Sequence, residues 1–191
     1  MKSLALLLSL LLTGCAARPE ATLSEPADAF LARLNALCGQ AFEGQVEVDA
    51  PTPSPDFSGK RLVMHVRECA SGEVRAPFHV GEDRSRTWIV TRTASGLRLK
   101  HDHRHADGSP DPLTMYGGET AAPGSAGRQA FPLDAESRAL FERENRPASL
   151  TNIWAMEIEP GRAFVYELSR PGGRLFRVRF DLSRPVPPPS S

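Results

Sequence analysis

Three of the five histidines fall within six residues, Lys100-His101-Asp102-His103-Arg104-His105. Side chains alternate faces along a β-strand, so His101, His103 and His105 share one side with the preceding Leu97 and Leu99. Arg98, Lys100, Asp102 and Arg104 take the other side. An apolar, core-facing strand face therefore becomes a row of imidazoles as the chain nears the turn at Asp107-Gly108-Ser109-Pro110-Asp111. Such a row suits the mouth of a barrel or a position just inside it. Same-face neighbours lie ~6.5–7 Å apart along a strand, so two imidazoles can converge on one zinc ion. A catalytic zinc needs three nitrogen or oxygen ligands and a water. His65, Glu68, Asp107, Asp111 and Glu119 are the candidates to complete the set. An open zinc would make the protein a metal-assisted hydrolase. Two other readings compete with this one: polar lining for a small-ligand pocket, and a solvated strand end whose histidines bond to carboxylates or water. Lys100 and Arg104 make a further positive charge at the row unfavourable.

No other segment carries a catalytic signature. Gly124-Ser125-Ala126-Gly127 is one residue short of the Gly-x-Ser-x-Gly elbow and sits in a loop-like stretch. Walker loops and dinucleotide fingerprints are absent. Asp107 to Asp111 lacks the alternating acids of a calcium loop. No catalytic residue is assigned, and a non-enzymatic binding role is the first expectation. Trp88, Trp154, Phe164 and Phe176 are expected to fill the core. Arg177 and Arg179 share one face of the last strand and, with Arg174, read as a basic edge or outer face. Phe176, Val178 and Phe180 take the opposite face.

The elements that must position these residues follow from periodicity. Pro26 suits the first turn of a helix capped by Ser24 or Glu25. Phe30, Leu31, Leu34, Leu37, Cys38 and Ala41 then recur at helical spacing, and Gly39 is the terminator. From there the period changes to two. Strands are expected at Gln45–Asp49, Arg61–Cys69, around Val74–Val80, at Thr87–Arg92, at Leu97–His105 and at Leu113–Gly117. Pro51 to Gly59 and Gly117 to Gly127 read as loops. Asp134 would cap a second short helix from Ala135 to Asn145. Ile153–Ile158, Ala163–Leu168 and Leu175–Asp181 alternate with Pro-Gly turns between them, the pattern of antiparallel hairpins. The resulting fold class is mainly β: an antiparallel, strongly bent sheet or small barrel with an N-terminal amphipathic helix and a second short helix. In element order it resembles a lipocalin-like barrel, although the lipocalin Gly-x-Trp near the first strand is missing. That resemblance implies one central cavity.

The N-terminus carries an address. Lys2 is followed by an apolar run, Leu4 to Leu12, broken only by Ser9. Nine residues span about 14 Å as a helix, half a hydrocarbon core. That length fits the hydrophobic region of a cleaved signal. The segment Leu12-Thr13-Gly14-Cys15 resembles the lipobox of bacterial lipoproteins. The resemblance implies cleavage before Cys15, acyl chains on its sulfur and new amine, and a stable membrane anchor. Ala16, in place of Asp, implies sorting to the outer membrane, facing the periplasm. Residues 1–14 are then the signal peptide, 15–26 the acylated cysteine and tether, 27–184 one β-rich domain, and 185–191 a disordered tail. Asp102 to Asp111 with Met115-Tyr116-Gly117-Gly118 also resembles an uncharacterised group of bacterial envelope proteins, which implies no activity.

Loss of Lys2 with the signal leaves 22 basic against 23 acidic residues. Such a balance offers no attraction to nucleic acid. Cys38 and Cys69 become the only other cysteines, and in an oxidising compartment they read as one disulfide. They are too far apart for a redox Cys-x-x-Cys. The sequence thus points to a membrane-anchored envelope lipoprotein that binds a small ligand or an envelope partner. The alternatives are a zinc-binding protein or hydrolase built on His101, His103 and His105, and a structural or assembly lipoprotein.

Overall fold

The computed structural model describes residues 24–189. The expected signal, the lipobox with Cys15, and most of the tether lie outside the described residues.

The chain opens with helix α1, Ser24–Asn35, with Pro26 in its first turn. Ala27, Phe30, Leu31 and Leu34 are buried, as their spacing of three and four dictates. Gly39 follows in the left-handed region at φ 79°, which ends the helical course. Cys38, just after the helix, is disulfide-bonded to Cys69. Closing a loop of that length stabilises the fold by ~3–4 kcal/mol in the chain-entropy model.

Eleven strands follow: β1 (Ala41–Ala50), β2 (Leu62–His65), β3 (Glu68–Ala70), β4 (Glu73–Val80), β5 (Asp83–Thr93), β6 (Gly96–His103), β7 (Tyr116–Glu119), β8 (Arg128–Pro132), β9 (Ile153–Glu159), β10 (Ala163–Arg170) and β11 (Arg174–Val186). Helix α2 (Ala135–Arg143) and a short 3₁₀ turn (Pro147–Thr151) separate β8 from β9. All pairings are antiparallel, in the order β7-β6-β5-β4-β2-β1-β11-β10-β9-β8, with β3 paired to β4. Nearly every strand lies beside its sequence neighbour, and β1 joins the first run to β11. The product is an up-and-down sheet nearly closed into a barrel, as the sequence led one to expect.

The two ends of the sheet approach at a seam between β7 and the end of β8, where a single bridge links Gly118 to Leu133. The backbones there approach so closely that side chains do not fit. At the seam a Cβ on Gly118 would lie 2.1 Å from the Pro132 carbonyl oxygen; on the other side of β7, one on Gly117 would lie 1.8 Å from that of Leu99 on β6. Helix α2 seals the seam. Asp134 caps it by accepting from Ser137 N at 2.7 Å, and Ser137 Oγ accepts from Gly117 N at 2.7 Å. The buried Lys100 ammonium meets Asp134 at 3.0 Å and Glu136 at 2.7 Å. Burial of that charge requires such pairing.

Several boundaries differ from the sequence reading. Arg61–Cys69 is not one strand, because Val66 leaves the ladder: its N–H donates to Gln40 O and its carbonyl accepts from Gly39 N. β8 occupies a stretch in which no strand was expected. Its inward residues, Gln129 and Phe131, are too few to make an alternation visible. β6 stops at His103, two residues early. Pro185 and Val186, expected to belong to a disordered tail, instead continue β11 opposite Phe42 and Ala41. β11 is also not an edge. It pairs with both β1 and β10, and its outward Arg177 meets Glu47, Glu157 and Glu167 of neighbouring strands.

Helix α1 closes one end of the barrel. Its Asp28 accepts from Arg92 Nε at 2.5 Å, near the end of β5 where β6 begins. Below it Phe42, Met64, Leu97, Leu99, Phe131 and Phe180 fill the interior with almost no exposure. Among the described residues no helix is long and apolar enough to cross a membrane.

Candidate functional site

The opposite end, where β6 ends and β9 begins, is open. A cavity of about 530 Å³ enters the barrel there. Its floor is aromatic. Trp88 is stacked between Phe78, at 4.7 Å between ring centres, and Tyr166, at 4.5 Å. Trp154 leans on His101 at 5.2 Å. Trp88, Trp154, Phe164 and Phe176 are buried, as anticipated. Three of them, all but Phe164, also present atoms to the cavity.

Two of the three histidines of the row stand in its wall. The His101 ring stacks on Tyr116 with centres 4.8 Å apart. His101 Nδ1 lies 3.1 Å from the Tyr116 carbonyl oxygen, which can only accept, so Nδ1 carries the proton. Nε2 is then left to accept from the Tyr166 hydroxyl at 2.8 Å. Burial, reinforced by the nearby His103, pushes the His101 pKa down to about 3. His103 Nε2 is hydrogen-bonded to the Tyr116 hydroxyl at 3.0 Å. Burial and the Arg86 guanidinium hold His103 below its ordinary range. Burial raises the Tyr116 phenol to about 12 and that of Tyr166 well above its usual value. The inner wall is consequently neutral at physiological pH: polar, hydrogen-bonded and uncharged.

His105 is not part of it. Beyond the end of β6 the chain enters the Asp107-Gly108 turn, where His105 N donates to Ser109 O at 2.9 Å and the side chain is exposed. Of the residues weighed as additional zinc ligands, Asp111 alone lines the cavity. Asp107 accepts from Ser109 in the turn, and Glu119 sits on β7 opposite Arg98. His65 and Glu68 are on β2 and β3, away from the mouth. Among the described residues, no three His, Cys, Asp or Glu side chains are grouped so as to hold a metal ion. Zinc at His101 would have to replace the Tyr166 hydrogen bond at Nε2. Ser125, in the incomplete elbow motif, has its Oγ engaged by the backbone N–H groups of Gly127 and Arg128.

The rim was not legible as a site. Arg86 from β5, Arg170 from β10, Arg174 from β11 and Arg146 from the α2–3₁₀ junction all reach the cavity, against the single carboxylate of Asp111. Scattered between positions 86 and 174, they carry no local spacing that marks them. The one available signal is that Arg86 shares a strand face with Trp88, and Arg174 with Phe176, at strand ends. A broader trough of about 740 Å³ runs along the outside of the barrel past Glu43, Glu47, Arg162, Arg179 and Asp181. Its charges alternate, and no aromatic ring lines it.

Fold and cavity together define an up-and-down barrel closed by a helix at one end and open to a ring-lined pocket at the other. No family model, curated protein or solved structure matches the chain.

Proposed function

We propose that this protein is a lipid-anchored envelope protein that holds a small ligand in the mouth of its barrel. The observation that carries the reading is the 530 Å³ aromatic cavity itself. Its size falls in the range of small-molecule sites, which are mostly apolar with a few convergent polar groups. Barrel interiors that serve only stability are filled by side chains, as at the α1 end; this end keeps its space. The neutral His101–Tyr166 and His103–Tyr116 pairs supply the polar contacts. They are held in place by hydrogen bonds that need no ligand, so the site is pre-organised. The Leu12-Thr13-Gly14-Cys15 motif supports attachment of the domain to a membrane through Cys15. Eight residues separate that cysteine from the start of α1, and α1 covers the end of the barrel opposite the mouth, which leaves the mouth free to face the aqueous compartment.

Both tryptophans of the chain, Trp88 and Trp154, line the cavity, which makes intrinsic fluorescence a reporter of its contents. Titration of the full chain in lipid nanodiscs with the neutral dye N-phenyl-1-naphthylamine is expected to quench that fluorescence saturably, after subtraction of empty discs. Quenching that rises linearly with dye, as partitioning into lipid would give, sinks the ligand-binding reading.

A further inference from the structure

The charge around the mouth says which ligands the cavity accepts. Four guanidinium groups border it and one carboxylate, Asp111, opposes them. Two of the four are already neutralised locally. Arg86 meets Asp83 at 2.6 Å and lies 5.9 Å from the centre of the Phe57 ring. Arg174 meets Asp49 at 2.5 Å and donates to the carbonyls of Ala50 and Thr52. Arg170 and Arg146 differ. Arg170 is half-buried, and its Nε donates at 2.5 Å to the neutral Oδ1 of Asn152. Among the described residues it forms no ion pair. The Arg146 side chain has neither an ion pair nor a hydrogen bond among the described residues. No ion pair joins Asp111 to either of them among the described residues; its Oδ1 accepts from Leu113 N at 2.7 Å.

One short segment places both. Arg146 immediately precedes the 3₁₀ turn, and Asn152, which holds Arg170, immediately follows it. Most arginines on strands away from the mouth pair with a carboxylate, although Arg98 on β6 forms no ion pair among the described residues. Arg128 and Arg177 share Glu157 and Glu167, for instance. At the mouth, two guanidiniums without an ion pair, those of Arg146 and Arg170, border one cavity. Below the rim the wall is uncharged, so a ligand charge gains nothing by descending to it and would lose its hydration. A cation would face the guanidiniums of Arg146 and Arg170, which no carboxylate offsets among the described residues.

Resting on the ligand-binding reading above, we propose that the ligand is an organic anion with an apolar ring body. Its carboxylate, sulfonate or phosphate head is held at the rim by Arg146 and Arg170, and its body lies against Trp88, Trp154 and Tyr116. Guanidinium groups suit such heads because their planar forks donate two parallel hydrogen bonds.

Two dyes with closely similar ring systems test this on the full chain in nanodiscs. 1-Anilinonaphthalene-8-sulfonate carries an anionic head; N-phenyl-1-naphthylamine does not. Quenching of Trp88 and Trp154 reports both. The double variant Arg146→Met/Arg170→Met is expected to weaken the sulfonate dye by about tenfold or more, the cost of losing charged hydrogen bonds. The neutral dye should change by less than about twofold, since methionine preserves apolar bulk. Arg146→Lys/Arg170→Lys should recover part of the sulfonate affinity. If the methionine variant binds both dyes like the wild type, the anion assignment is overturned and the cavity reading stands. If the wild type binds neither dye, both fall. If the methionine variant loses both dyes and the lysine variant restores neither, the arginines are structural and the assignment is overturned.

Discussion

The two ends of the barrel are built from the same strands and differ in almost everything else. At the α1 end Phe30 and Leu34 are buried in one core cluster with Phe42, Leu97 and Phe131, and the Cys38–Cys69 bond staples the helix exit to β3. At the mouth the rings line a space instead of filling it, and polar groups enter the interior. β6 passes through both environments: Leu97 and Leu99 belong to the packed half, His101 and His103 to the open one. Stability is thereby concentrated where no ligand needs to enter. The mouth is free to carry neutral imidazoles, phenols and unpaired guanidiniums, which a packed core would exclude.

Breaking the packed end should have the largest effect. Phe30→Ala removes a fully buried ring and is expected to cost about 3–5 kcal/mol in urea unfolding. Dye affinity of the remaining folded protein should be unchanged. A loss below ~1 kcal/mol would mean that α1 is an ornament and not the closure of the barrel.

A second, smaller effect separates the ends by pH. His101 has a folded pKa of about 3 against 6.5 in the unfolded chain. As pH falls below 6.5 the unfolded chain takes up this proton first. The contribution of His101 is therefore fully present above about pH 6.5 and is lost progressively toward pH 3. Its size is on the order of a few kcal/mol, and His103 acts in the same direction. His101→Gln should flatten the stability profile between roughly pH 6.5 and 4.5, above the range in which most carboxylates titrate. Parallel profiles for wild type and variant would show that the histidine is not held neutral.

The smallest effect is expected at the rim. Arg146→Met alone should leave unfolding stability within about 0.5 kcal/mol of wild type, as for a surface residue outside any network. A cost above ~1.5 kcal/mol would give Arg146 a share in holding the 3₁₀ turn and blur the contrast between the ends.

Local signals fixed much of the first end and little of the second. The spacing of Phe30, Leu31 and Leu34, the Asp134 cap, the alternation through β9 to β11 and the cysteine count are short-range patterns, and each appears in the fold where its period placed it. The histidine row was legible too, and its first two members do face the interior at the mouth. His105 failed the pattern because a strand's period holds only while the strand continues, and the Asp107 turn draws the chain out of the ladder first. β8 and the continuation of β11 to Val186 depend on partners more than 20 residues away, which impose pairing on sequences with weak strand character.

By itself, then, the sequence determined the mainly β class, the opening helix, the disulfide and the inward face of His101 and His103. Each depends on periodicity or on a count, which are properties of neighbouring residues. Only the tertiary structure decided that burial would hold those histidines neutral against Tyr116 and Tyr166, that the barrel would fill at one end and stay open at the other, and that Arg86, Arg146, Arg170 and Arg174 would meet at one rim. The physical reason is that curvature and closure set which distant residues become neighbours. Burial and charge balance act on that spatial set, and no stretch of chain contains it.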